Sequence, residues 1–77
     1  MNFKEMLTNI ARAIVDEPDA VNVIETVDGD NIELVLTVAD NDTGMVIGRH
    51  GIIAKAIRQI IKAAASTCGK KVTVEIK

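Results

Sequence analysis

Aromatic side chains are almost missing from this sequence: it has no Trp and no Tyr, and Phe3 is its one phenyl ring. That scarcity excludes a binding surface built from stacked aromatics and leaves the core to Ile, Val, Leu, Ala and Met. Cysteine is as scarce. Cys68 stands alone, so an internal disulfide and a cysteine-based zinc site are excluded, and a reducing, cytoplasmic setting is expected. At the end of an apolar helical pattern it reads as a small buried or half-buried hydrophobe without a redox role. His50 is the single histidine. No Ser, Cys or carboxylate constellation accompanies it, which argues against a nucleophile and base system. No catalytic residue, metal site or cofactor is therefore expected. No apolar run approaches the ~20 residues that cross a bilayer, and the N-terminal stretch with Lys4, Glu5 and Arg12 lacks the layout of a signal peptide. A membrane partner is not expected.

What is present fits one small domain over residues 1–77. At this length only about 60% of the unfolded chain's surface is buried, so the core must be compact. Hydrophobic residues make up 48% of the chain, which argues against disorder. The formal charge of −2 hides a split. In residues 1–44, Lys4 and Arg12 stand against ten acidic side chains, a balance of −8; in residues 45–77, seven Lys or Arg stand against Glu75, a balance of +6. The basic half suits an anionic partner, and the acidic half would repel a misplaced one.

Residues 2–15 predict a helix, with Phe3, Leu7, Ile10 and Ile14 on its inner face and Asn2 with Glu5 resembling a capping box. Pro18 ends it in a turn. Residues 21–27 and 32–38 read as strands around Asp28-Gly29-Asp30-Asn31, a hairpin signal. In the second strand Ile32, Leu34, Leu36 and Val38 alternate inward, against Glu33, Val35 and Thr37. Asn41 or Asp42 can cap a short helix running to about Ile47, where Gly48 interrupts it. A longer helix runs from about Gly51 to Thr67 or Cys68, with Ile53, Ile57, Ile60, Ile61 and Ala64 inward and Gly69 as its C-terminal cap. Lys55, Arg58 and Lys62, three and four residues apart, share another face. Lys71 to Ile76 alternates as a third strand. The order is helix, strand, strand, helix, helix, strand: an α+β domain with helices on one face of a three-stranded sheet.

Between the two later helices lies Val46-Ile47-Gly48-Arg49-His50-Gly51. Its two glycines permit a sharp turn whose amides stay open to an anion. Walker and dinucleotide patterns are absent. A helix-turn-helix presenting the long helix to DNA is a rival, but Arg58 and Gln59 are few readers and the flanking strands do not suit it.

These residues resemble a K-homology (KH) domain of type II, the kind that begins with a helix and ends with a strand. Ile47, Gly48, Arg49, His50 and Gly51 occupy the Gly-x-x-Gly position, and the run from Gly44 to Lys62 is similar to the small bacterial group called KhpA. The resemblance covers essentially the whole chain. It implies an α-β-β-α-α-β fold with a mixed sheet and a loop that clamps about four nucleotides of single-stranded RNA beside an apolar groove. Arg49 would then contact phosphate, and His50 would contribute more when protonated, below about pH 6.5. Ile47, Ile52 and Ala56, with Val35 and Thr37, would floor the groove, and Lys55 and Arg58 would extend its basic rim. The resemblance also implies an RNA chaperone or post-transcriptional regulator that pairs with itself or with a larger KH-containing RNA-binding protein, with Ile61 as a candidate contact. The alternative within the same fold is a protein-interaction module.

Overall fold

The computed structural model describes residues 2–47 and 51–77, apart from the side chains of Met45 and Ile47. Helix α1 spans Phe3–Ile14, strands β1 and β2 span Asn22–Asp28 and Asn31–Thr37, helix α2 spans Asp40–Ile47, helix α3 spans Ile52–Thr67, and strand β3 spans Lys71–Ile76. A single 3₁₀ turn, Pro18–Ala20, follows α1.

Each boundary has a local cause. Asn2 caps α1 by accepting a 3.0 Å hydrogen bond from the Glu5 amide. The β1–β2 hairpin closes through Gly29 and Asp30, with Gly29 at φ 62° and Asp28 directly opposite Asn31. A positive φ at the first turn residue matches the twist of the paired strands. Helix α3 ends in a Schellman motif: the Gly69 amide donates to Ser66 and the Lys70 amide to Ala65, with Gly69 at φ 68°.

The sheet has the order β1-β2-β3, with β1 antiparallel and β3 parallel to β2. It is therefore mixed, as expected. Phe3, Leu7 and Ala11 of α1, Leu34 and Leu36 of β2, Val46 of α2, Ile57, Ile61 and Ala65 of α3 and Val74 of β3 form one buried cluster. Helix α1 packs against β1 and β2, α3 against β3, and α2 chiefly against α3.

Three expectations need correction. Ala11, and not Ile14, completes the inner stripe of α1, because spacing of four from Phe3 through Leu7 keeps Ala11 under the sheet while Ile14 rotates outward. On α3 the inner stripe is Ala54, Ile57, Ile61 and Ala65. Ile60 is 52% exposed. Cys68 is exposed too, since it lies at the C-cap where the chain turns away from the core.

Candidate nucleic-acid interface

The basic arc of α3 is real surface: Lys55, Arg58 and Lys62 are all exposed. Arg58 also reaches the sheet, its Nε donating to the Val74 carbonyl at 3.3 Å. The geometry of β3 makes that contact possible. The amides of Lys71 and Lys77 donate to Asp30 and Leu36 on the β2 side. Alternation along the strand therefore turns the main-chain groups of Val72, Val74 and Ile76 to the free edge of the sheet. A groove of about 550 Å³ runs between that edge and α3, lined by Arg58, Lys62, Ala65, Ser66, Lys70, Lys71, Val72, Thr73 and Val74. Arg58, Lys62 and Lys70 thus flank a trough whose wall carries outward-facing peptide groups, while the Lys71 side chain alternates with Val72 onto the uncovered sheet face.

Lys70 and Lys71 do not stand out in the sequence. They sit between the end of α3 and the start of β3, where Lys70 also pairs with Asp30 through Nζ at 3.0 Å. Their adjacency is the one signal the sequence offers.

The predicted groove floor is distributed differently. Ile52 is 64% exposed and Ala56 is exposed, but the 100° step of an α-helix puts both beyond Lys55, on the side of α3 turned away from β3. Together with Ile60 they make an exposed apolar stripe. Val35 and Thr37 alternate with the buried Leu34 and Leu36, so they lie on the sheet face that no helix covers. Ile61, the candidate partner contact, has no exposed surface. It packs in the core, and Ile60 takes the outward position.

Gly48, Arg49 and His50 lie outside the described residues, as does the side chain of Ile47. Gly51 is described. It caps the start of α3 in the left-handed region, φ 70° and ψ 20°, and a Cβ there would meet nothing within 4 Å. Its backbone conformation therefore asks for glycine, and steric room does not. The first amides of α3 follow it, with the positive end of the helix dipole.

Helix, hairpin, two further helices in succession, and a parallel return strand define the KH class of α+β domain. The KhpA/KhpB KH-domain family matches residues 4–76, and the chain belongs to that family. It is 52% identical over 74 residues to the RNA-binding protein KhpA of Clostridium acetobutylicum, covering 96% of this chain and 99% of the relative. The Clostridium perfringens protein of the same name is 49% identical over the same shares. That of Bacillus subtilis is 40% identical over 75 residues, 97% of this chain and 93% of the relative.

Among the described residues no helix is long and apolar enough to cross a membrane, and no cluster of His, Cys, Asp or Glu is arranged to hold a metal ion.

Proposed function

We propose that this protein is a non-enzymatic, single-domain binder of single-stranded RNA. In this reading the Gly48 to Gly51 turn holds the sugar-phosphate backbone, and the neighbouring nucleotides run into the groove between α3 and β3. The observation that carries the reading is that groove: Arg58, Lys62 and Lys70 offer charge for phosphates. The outward main-chain groups of Val72 and Ile76 offer donors and acceptors to base edges. Single-stranded bases present such edges, whereas duplex bases hide them. The relatives' shared name as RNA-binding proteins supports the same partner. The uncovered sheet face, with Glu33 and Glu75, repels a polyanion and favours the α3 side.

In the same reading Gly51, Arg58 and Lys55 take the roles the sequence suggests, and Arg49 and His50 contribute contacts to the phosphates. Ile52 and Ala56 are better placed in a protein contact. The stripe Ile52, Ala56, Ile60 supports pairing with a second copy or with a larger KH-containing RNA-binding protein, in a cytoplasmic chaperone or regulator of RNA. Two clamps in one assembly raise the effective concentration of the second contact.

The direct test compares wild type with the double variant Gly48→Asp, Arg49→Asp by fluorescence anisotropy on a labelled single-stranded RNA. Binding should fall by at least tenfold while circular dichroism stays unchanged; equal affinity of two folded proteins would exclude the clamp. Duplex DNA serves as competitor, and preference for it would favour the helix-turn-helix rival.

A further inference from the structure

The sequence suggests Asp42 as a helix cap, yet its side chain serves another element. It is 1% exposed, the most deeply buried charged side chain among the described residues. The Asp16 amide donates to its Oδ1 and the Glu17 amide to its Oδ2, each at 3.0 Å. Helix α2 itself begins two residues earlier, at Asp40, with the Asp42 and Thr43 amides donating to the Ala39 carbonyl. The carboxylate thus spans from the first turn of α2 to the segment that leaves α1, a link between positions 26 and 25 residues apart.

Helix α2 needs such a link. Its eight residues open with Asp40, Asn41, Asp42, Thr43 and Gly44, all weak helix formers, and helices this short do not persist alone in water. Its packing is chiefly against α3. Val46 is the buried apolar side chain of α2 among those described. One end of the helix is therefore held by Val46 and the other by Asp42, and the glycine turn follows directly in the chain. We infer that Asp42 is a positioning residue for RNA binding: its carboxylate latches α2 to the exit of α1 and so fixes the platform from which the Gly48 to Gly51 turn departs. This rests on the RNA-binding reading above.

The chemistry demands a carboxylate. Two amide donors face two acceptor oxygens, and an asparagine offers one oxygen and one NH₂ group, which would confront a donor with a donor. Two main-chain amides and a buried charge compensate each other, which an isolated buried charge could not achieve.

The experiment is hydrogen exchange combined with RNA titration on the full chain, comparing wild type, Asp42→Asn and Phe3→Leu. The last removes core volume at the far end of α1 and serves as a control for reduced stability alone. RNA affinity is read at a temperature where all three are more than about 99% folded. Asp42→Asn should lose about tenfold or more of the protection at the Asp16 and Glu17 amides and across α2, and bind single-stranded RNA about tenfold more weakly; Phe3→Leu should bind as wild type does. Protection unchanged in Asp42→Asn would overturn the latch. Protection lost with affinity unchanged, or equal loss of affinity in Phe3→Leu, would overturn the positioning role. If wild type itself bound no RNA, the positioning role would fall with the functional reading, and amide protection would still report whether the latch exists.

Discussion

The Nε of Arg58 donates to the carbonyl of Val74 across the gap between α3 and β3, so one side chain both ties the sheet edge to the helix and places a charge at the groove mouth. Lysine cannot reproduce this, since its point charge lacks a donor midway along the side chain. Arg58→Lys should cost about 1 kcal/mol of stability by urea denaturation, the scale of one hydrogen bond. It should leave the salt dependence of RNA binding intact. Arg58→Gln should lower both.

Charge reversal at Lys62 probes the groove without altering the Gly48 to Gly51 segment. The side chain is exposed, so the variant should keep its melting temperature within a few degrees. For every phosphate no longer neutralised, the slope of log K against log salt should flatten by about 0.7, the value for single strands. Affinities titrated between low and moderate salt would reveal this, and an unchanged slope would move the RNA path elsewhere.

Ile60 and Ile61 are neighbours with opposite surroundings. Ile61→Ala should destabilise the fold by about 2–5 kcal/mol, as buried Ile truncations do, measured by thermal or chemical melting. Ile60→Glu should leave the fold intact and shift sedimentation toward monomer where the wild type self-associates. A wild type and Ile60→Glu with the same concentration-dependent sedimentation would remove the exposed stripe from any self-contact.

Gly69 offers a clean backbone test. Its φ is 68°, and an added Cβ would meet nothing within 4 Å. Gly69→Ala should therefore lose about 1–2 kcal/mol purely from the left-handed conformation. Gly69→Asn should recover part of that loss, because asparagine tolerates this region better. Equal stability of the alanine and asparagine variants would mean the motif relaxes instead.

Features decided within a few residues are plain in the sequence. Asp28-Gly29 announces the hairpin, Gly69 the helix end, and the period-two pattern of Ile32, Leu34 and Leu36 the buried face of β2. Features decided by distant partners are not. Ile60 and Ile61 both fit a helical stripe, and only the direction from which α1 approaches α3 separates them. Asp42 looks like a cap because its partners, Asp16 and Glu17, lie far back in the chain. The groove is hidden for the same reason: that β3 is an edge strand beside β2, with Lys70 and Lys71 at its start, depends on sheet order and not on spacing. The family motif is legible, but the apolar residues near it, Ile52 and Ala56, cannot be assigned to one side of α3 until the place of β3 is known.

The parallel pairing of β2 with β3 joins Asn31 to Lys71 and Leu36 to Ile76, segments separated by the two helices between them. Such nonlocal pairing forms late, because a long loop must close before its contacts offset the lost chain entropy. The hairpin and the individual helices can arise early, while the wall of the groove exists only once β3 has docked. Docking of β3 thus completes the sheet and creates the trough in one step, and a ligand that bound the trough of the folded chain alone would stabilise the fold by mass action.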